Sequence, residues 1–325
     1  MRLPASFTAL LLVGLLTGGC SMPSLLIKPV ANTGELEEVE VQPGKGFSPS
    51  TIAIIEVEGM LLNARSDGLL GPGENKLSLF AQQLDRAARD GDVKAVVLRI
   101  NSPGGTVTCS DTMYEMIRRF RNETHKPVVA DTQEVAASGG YYVACACDKI
   151  VAHPTSVVGS IGVLFQTFEV SGAMNKLGIT ETAIKSAQLK DMGSPFKPLD
   201  PKAKEVMQGM VDEYYARFVS VVKENRKLTD PDTIKLVTDG RVFSGEQAQK
   251  YGLVDRTGLL PDALSLAREM SNSPNARAVM YKRPYGYSGS IYASSPTPPP
   301  RDNVMRLEFP EALALPRGFY YLWQP

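Results

Sequence analysis

The chain repeats a buried-type strand followed by a helix three times, and this alternation restricts its fold more than any other feature. The strands are mostly aliphatic, and the first helix has apolar residues at helical spacing. The predicted strand and helix pairs lie at 51–57 with 77–90, at 95–100 with 108–121, and at 127–131 with 138–147. Elements in this order form parallel βαβ units, so the sequence predicts an α/β domain.

Further elements are predicted after the third unit. A strand is expected at 150–151, an apolar run occupies 159–165, and helices are predicted at 201–227, 245–251 and 261–270. The segment 188–198 has no periodicity and contains proline and glycine, so we predict a long polar loop there. The folded domain is predicted to span 51–283.

The segments on either side of this domain differ from it in composition. Residues 21–50 are rich in Pro, Gly, Ser and Glu without apolar periodicity, which predicts a tether. Residues 284–325 are rich in proline and are predicted to form an extended tail. The tail nevertheless ends in apolar residues such as Tyr321 and Trp323. We expect this end to dock, either on a neighbouring subunit or in a groove of its own chain.

The N-terminus reads as a targeting segment. Residues 1–20 hold one arginine, an apolar run, and small residues that end at Cys20. The run is about half of the ~20 residues that a membrane-spanning helix needs. The end, Leu-Thr-Gly-Gly-Cys, resembles a bacterial lipobox, although threonine stands where leucine is usual. Three outcomes stay open: lipidation at Cys20, plain secretion, or an uncleaved anchor. Each places most of the chain outside the cytoplasm.

Composition excludes several classes of function. The 325 residues carry 35 Lys+Arg and 35 Asp+Glu, and a formal net charge of zero argues against a nucleic-acid-binding platform. Two histidines, His125 and His153, cannot build a multi-histidine metal site, and no Ser-His-Asp triad is evident. The four cysteines are too few and too irregularly spaced for a disulfide framework. Cys145 and Cys147, which form a C-x-C motif, are predicted to be small core residues.

Two glycine-rich motifs follow successive strands. In residues 101–105 (NSPGG), the glycines can present backbone N–H groups at the carboxyl end of a strand, although a simple tight turn is the alternative. In residues 135–142 (VAASGGYY), Ser138 stands between small residues where a helix begins. Its hydroxyl could face a substrate or could merely cap the helix.

Together these motifs resemble those of the S49 family of serine peptidases, the signal peptide peptidase A type within the Clp protease/crotonase superfamily. The matching stretches, in the family's order, are NSPGGTV at 101–107, the segment 126–163 around ASGGYY, KSAQLKDMGSPF at 185–196, and GRVFSGEQAQKYGLVD at 240–255. The resemblance implies a Clp protease/crotonase-like fold of repeated units with a parallel sheet, followed by C-terminal helices.

The resemblance also implies roles for individual residues. Ser138 corresponds to the nucleophile, Lys190 to the general base, and Ser160 to the hydroxyl that orients the lysine. Gly105 and Gly139 correspond to the oxyanion-hole donors, and Lys185 corresponds to a non-catalytic lysine. No cofactor or metal is implied.

Elementary chemistry agrees with a lysine base. A lysine accepts a proton only when it is neutral, and apolar surroundings favour the neutral form. Leu189, Met192 and Phe196 flank Lys190 and could supply them. The acidic residues Asp131, Glu134 and Asp148 are interpreted as surface or capping residues rather than as catalytic acids.

The leading hypothesis is a Ser-Lys endopeptidase that acts on short hydrophobic peptides such as released signal peptides. It would be attached to the membrane in the bacterial cell envelope, would face the periplasm and, by the family likeness, would form a homo-oligomer. An acyl-CoA enzyme of the crotonase type and a catalytically silent scaffold are the alternatives. The sequence does not decide whether Ser138 meets Lys190 of its own chain or of a neighbour.

Overall fold

A computed structural model describes residues 36–46, 50–68, 71–283 and 318–324. Cys20 and the rest of the predicted signal peptide lie outside these residues. Within the described part of the chain, no helix is both long and apolar enough to cross a membrane.

The strands belong to one large mixed sheet and two small ones. The strands are β1 (Glu37–Gln42), β2 (Thr51–Glu58), β3 (Arg65–Gly68), β4 (Gly71–Asn75), β5 (Val93–Ser102), β6 (Gly104–Thr106), β7 (Val128–Ala137), β8 (Lys149–Ala152), β9 (Val157–Gly159), β10 (Leu164–Phe165), β11 (Val242–Ser244), β12 (Arg256–Thr257), β13 (Arg277–Lys282) and β14 (Phe319–Leu322). The large sheet has the order β1-β13-β2-β5-β7-β8-β12, and β9 pairs with both β7 and β11. The small sheets are β10-β14-β6 and β3-β4.

Helices cover both faces of the large sheet. The helices are α1 (Lys76–Arg89), α2 (Val107–Thr124), α3 (Gly139–Ala144), α4 (Ser171–Lys176), α5 (Pro201–Arg226), α6 (Pro231–Val237), α7 (Gly245–Lys250) and α8 (Leu260–Met270). The larger apolar core includes residues of α1, α2 and α3, and the smaller one packs α8 against β2, β5 and β13. Burial on both faces explains why the central strands are almost continuously apolar.

The predicted α/β class is confirmed. The pairs β2–β5, β5–β7 and β7–β8 are parallel, and the helices that connect them lie close to their predicted positions. Strand β7 is longer than predicted. The segment 132–137, predicted to be a connection, continues β7 because its end pairs in parallel with β9.

The predicted boundaries of the domain were too narrow at both ends. Residues 37–42, predicted to be tether, form β1 and pair antiparallel with β13. Residues 319–322, predicted to be tail, form β14 between β6 and β10. Strand β1 pairs with the edge of β13, and β14 joins β6 to β10. Each segment thus pairs with N–H and C=O groups that an edge strand leaves unpaired.

Cys109, Cys145 and Cys147 are buried free thiols, which confirms the prediction made for Cys145 and Cys147. Burial raises the pKa of the Cys109 thiol to about 11 and that of Cys145 to about 12. Since the thiolate is the reactive form, these residues act as small core side chains.

The interpretation of the acidic residues is correct for two of the three. Glu134 is exposed, and Asp148 pairs with Arg121 and accepts a hydrogen bond from the Val128 N–H at 2.8 Å. Asp131 is buried, 1% exposed, because it stands on β7, a central strand between β5 and β8, where its register partner is Arg99 of β5. Burial raises its pKa to about 7, and the hydrogen bond from Gln133 and the charge of Arg99 only partly oppose this shift.

Asp131→Asn is expected to change how stability depends on pH. The pKa of Asp131 in the folded protein lies above the ordinary value of 3.8, so the contribution of Asp131 to stability falls as pH rises from about 4 to about 7. Asparagine cannot ionise. Relative to the wild type, the variant should therefore gain roughly 1–3 kcal/mol in free energy of unfolding between pH ~5 and pH ~8. Urea unfolding of both proteins at the two pH values measures this gain. If the difference in free energy of unfolding between variant and wild type is the same at both pH values, the raised pKa of Asp131 is contradicted.

Candidate active site

A sharp turn between β7 and α3 holds Ser138. Its backbone has φ 51° and ψ −116°, a conformation that residues other than glycine rarely adopt. Its N–H donates to the Gly159 carbonyl at 2.7 Å, and its carbonyl accepts the Tyr142 N–H at 2.8 Å. Such strain costs on the order of 1–3 kcal/mol, and it is commonly found where a side chain must be presented for function.

The hydroxyl of Ser138 does not cap the helix that follows it. Ser138 occupies the N-cap position of α3, but its side chain makes no capping hydrogen bond. The Oγ atom is buried and has no hydrogen-bond partner among the described residues. A buried, unpaired hydroxyl costs about 1–3 kcal/mol. Of the two interpretations that the sequence left open, the geometry therefore disfavours a simple cap.

The glycine motif of β6 packs directly against this turn. Gly104 has φ +103°, and a Cβ atom there would lie 2.6 Å from the Gly139 nitrogen. A Cβ atom on Gly139 would lie 3.1 Å from the Gly105 nitrogen and 2.3 Å from the Ser110 Oγ. The backbones of the two predicted oxyanion donors, Gly105 and Gly139, thus approach each other beside Ser138, and neither has space for a side chain.

Two polar residues of the first motif hold this loop, and no pattern in the sequence indicated their roles. The Ser102 hydroxyl donates to the Gly59 carbonyl at 2.6 Å and accepts from the Gly104 N–H at 3.1 Å. The Asn101 Oδ1 accepts the Val135 N–H of the neighbouring strand at 3.2 Å. Both side chains fix the glycine loop relative to β7.

Ser160 lies next to Ser138 on the sheet. Ala137 at the end of β7 is paired with Gly159 at the end of β9, so Ser138 and Ser160 follow matching positions of parallel neighbours. Ser160 is buried, has φ 51°, and donates its N–H to the Arg241 carbonyl at 2.8 Å. This placement is compatible with the orienting role predicted for Ser160.

The predicted base lies on the long loop after α4. Asp191 is bound there by two lysines, with the Lys185 Nζ at 2.8 Å and the Lys197 Nζ at 2.6 Å. The hydrogen bond from Lys185, supported by that from Lys197, lowers the pKa of Asp191 to about 2. The ammonium of Lys190 has no hydrogen-bond or ion-pair partner within the described residues. Lys185 therefore stabilises the loop through its ion pair with Asp191, whereas the ammonium of Lys190 is available for another contact.

The single chain does not bring Lys190 into contact with Ser138. The side chain of Lys190 is exposed, and no hydrogen bond joins it to Ser138 or Ser160 in the described structure. Two of the three apolar neighbours predicted to surround it are themselves exposed, Met192 by 40% and Phe196 by 46%. The loop is nevertheless anchored, because the Gly193 carbonyl accepts a hydrogen bond from Thr167 at 3.2 Å. The role of Lys190 stays a prediction.

Comparison with known proteins identifies the family. Residues 120–273, which include Ser138, Ser160 and Lys190, match the sequence profile of Peptidase family S49, and residues 53–158 match that of Clp protease. A Methanocaldococcus jannaschii protein named as a protease is 39% identical over 217 residues, which are 67% of this chain and 69% of that protein. The chain belongs to peptidase family S49.

Other relatives of this S49 peptidase agree. An Enterococcus faecium protein named as signal peptide peptidase SppA is 33% identical over 249 residues, 77% of this chain and 72% of that protein. Protease 4 of Salmonella typhi is 35% identical over 221 residues, 68% of this chain but only 35% of the longer relative. The S49 resemblance predicted from the motifs is confirmed, and with it a serine peptidase function.

Proposed function

We propose that this S49 peptidase is an endopeptidase that uses Ser138 as nucleophile and Lys190 as general base. The observation that carries the proposal is the buried, partnerless hydroxyl of Ser138 on a strained turn beside the glycine loop. The S49 match and the protease-named relatives favour this activity over an acyl-CoA enzyme or a silent scaffold.

The chemistry follows the logic of a serine peptidase. The Ser138 Oγ attacks the scissile carbonyl while the neutral amine of Lys190 takes its proton. The N–H groups of Gly105 and Gly139 stabilise the oxyanion that forms. The lysine then gives the proton to the departing amine. In the second half of the reaction, Lys190 takes a proton from water, the water attacks the acyl group, and the Ser138 oxygen leaves with that proton. Ser160 keeps the amine of Lys190 directed at the nucleophile.

A neighbouring copy of the chain supplies Lys190 in this proposal. Water stabilises the charged form of an exposed ammonium, so an exposed lysine needs a covering surface before it can act as a base. The segment around Lys190, residues 168–196, also exposes several large apolar side chains: Phe168, Leu177, Ile179, Ile184, Met192 and Phe196. Such a concentration of exposed apolar side chains is typical of a protein interface. In a homo-oligomer, a neighbouring chain would cover this segment, and Lys190 would complete that chain's active site.

The substrates proposed are short hydrophobic peptides, including signal peptides after their release from precursors. Extended peptides bind to many proteins by pairing with a strand of a sheet. Strand β6 lies beside Ser138 and already pairs there with an extended segment, β14, which supports an extended peptide as the substrate. The Enterococcus relative bears the name of a signal peptide peptidase, which supports the same class of substrate.

Residues 1–20 support a site of action at the cell envelope, with the peptidase domain on the periplasmic side. If Cys20 is lipidated, Cys20→Ala should abolish incorporation of labelled fatty acid and release the protein from the membrane fraction. Intact-mass measurement of the wild-type protein is the direct check. A mass that retains residues 1–19 would contradict lipidation at Cys20.

Active-site labelling tests the proposed activity. A fluorophosphonate probe should label the wild-type protein at Ser138, as located by peptide mapping, whereas Lys190→Ala should label at least roughly a hundredfold more slowly because its serine has no base. Oligomer mass is measured on the same samples, so that a failure of assembly is recognised. Equal labelling of Lys190→Ala and wild type would remove Lys190 from the mechanism.

A further inference from the structure

A short segment that follows β2 lies behind the glycine loop. Gly59 has φ +63°, and the Leu61 side chain is buried in the larger core, 2% exposed. The Gly59 N–H donates to the Asn101 carbonyl at 2.8 Å, and the Gly59 carbonyl accepts a hydrogen bond from the Ser102 hydroxyl at 2.6 Å. Residues 59–61, called the support segment below, are thus joined to the start of the first motif.

The support segment also holds the residues on both sides of Gly105. The Leu61 N–H donates to the Gly104 carbonyl at 2.8 Å, and the Leu61 carbonyl accepts the Thr106 N–H at 3.0 Å. Leu61 and Gly105 form a parallel bridge. A Cβ atom on Gly105 would lie 2.0 Å from the Leu61 carbonyl oxygen, so the close approach of the support segment requires glycine at this position.

These hydrogen bonds fix the direction of the Gly105 N–H. The peptide unit between Gly104 and Gly105 is trans and planar, so its carbonyl and its N–H point in opposite directions. Because the carbonyl points to Leu61, the N–H points away from the support segment. Strand β14, which includes Tyr321, pairs with β6 on that other side. The Gly139 nitrogen lies there too, since the position that a Cβ atom on Gly104 would take is 2.0 Å from the Tyr321 carbonyl oxygen and 2.6 Å from this nitrogen.

The Ser102 hydroxyl connects the glycine loop to the support segment. It donates to the Gly59 carbonyl and accepts the Gly104 N–H at 3.1 Å, and the Ser102 side chain is fully buried. Without this hydroxyl, the buried Gly104 N–H would lose its acceptor. An unpaired buried N–H is unfavourable, so the loop would then adopt other orientations of its peptide units.

We infer that Ser102 and Leu61 are positioning residues of the proposed peptidase, which hold the Gly104–Gly105 peptide unit so that the Gly105 N–H is directed at the oxyanion of the transition state. The inference rests on the proposed function and adds to it two residues that act through the glycine loop. A hydrogen-bond donor stabilises an oxyanion only when it is held at the correct place. Loss of the positioning should therefore weaken binding of the transition state and leave binding of the substrate unchanged.

Steady-state kinetics with a quenched fluorescent peptide test the inference. Ser102→Ala should lower kcat roughly 10–100-fold and keep KM within about threefold, because a misplaced oxyanion donor affects mainly the transition state. A peptide aldehyde, which forms a tetrahedral adduct with a serine nucleophile, should inhibit Ser102→Ala more weakly by about the same factor. Unchanged kcat, or a rise in KM alone, overturns the inference.

Ser273→Ala is the matched control. Ser273 is also buried, and its hydroxyl donates to the Ser271 carbonyl at 3.1 Å, but it lies just before β13, at the amino ends of the parallel strands. Its kcat, KM and inhibition by the aldehyde should equal those of the wild type. An equal loss of kcat in both variants would show that Ser102 has only a structural role and would overturn the inference.

Hydrogen exchange measured by mass spectrometry examines the loop without catalysis. In Ser102→Ala, the amides of Leu61, Gly104 and Thr106 should exchange at least tenfold faster than in the wild type, and unchanged exchange overturns the inference. Ser102→Cys, whose thiol is a weaker hydrogen-bonding group, should show smaller changes in the same direction and replaces the alanine variant if that variant does not fold. Faster exchange in a protein whose wild type hydrolyses no peptide would support the hold on the loop and refute the proposed activity.

Discussion

Ser138→Ala and Lys190→Arg are each expected to reduce kcat for peptide hydrolysis by roughly 10³–10⁶-fold. Alanine removes the attacking oxygen. Arginine keeps a positive charge at position 190, but its guanidinium does not give up its proton and so cannot act as a base. Because nucleophile and base act as a unit, the double variant should be about as inactive as either single variant. A quenched fluorescent peptide measures kcat and KM on samples of checked oligomer mass.

Two variants of the same region serve as comparisons. Ser160→Ala should lose less, roughly 10–1,000-fold, because Ser160 only orients the amine. Lys185→Ala should remain within a few fold of the wild type, since Lys185 makes an exposed ion pair and Lys197 still binds Asp191. An inactive Lys185→Ala beside an active Lys190→Ala would show that the base is wrongly assigned, while Ser138 could remain the nucleophile.

The local parts of this fold could be predicted from the sequence. Each aliphatic run became a strand because it is buried on both sheet faces. The glycines of the two motifs are required because backbone atoms or the Ser110 side chain occupy the positions that their Cβ atoms would take. Ser138 could be chosen because it stands between small residues at the point where a strand changes into a helix. The strain of this turn and the missing hydrogen bond of the hydroxyl are visible only in three dimensions.

The features that the sequence did not predict depend on pairing between distant segments. Strand β1 is a strand because β13, more than 200 residues later, offers it an edge. Asp131 is buried because it stands on β7, a central strand, where its register partner is Arg99 of β5. The ring of Tyr321 on β14 contacts Tyr142 of α3 and Phe218 of α5, and no local pattern in these three segments predicts the contacts.

Mixing two inactive variants is expected to restore activity if neighbouring chains complete each other's sites. In an oligomer assembled from Ser138→Ala and Lys190→Ala subunits, the intact serine of one chain can meet the intact lysine of the other. Half of the serines and half of the lysines are intact in a random mixture, so about a quarter of the wild-type activity should return. Co-expression with two different affinity tags and sequential purification isolates these mixed oligomers.

The control for this experiment replaces the Ser138→Ala partner by the double variant Ser138→Ala/Lys190→Ala. No lysine is then available to the intact serine, so no activity should return, although assembly is unchanged. If mixed oligomers of the two single variants stay as inactive as their parents, Lys190 must reach Ser138 within one chain. That result would require the loop around Asp191 to move, because in the single chain Lys190 is exposed and the Ser138 hydroxyl accepts no hydrogen bond from it. Restored activity would instead explain why Ser138 is buried without a partner in its own chain.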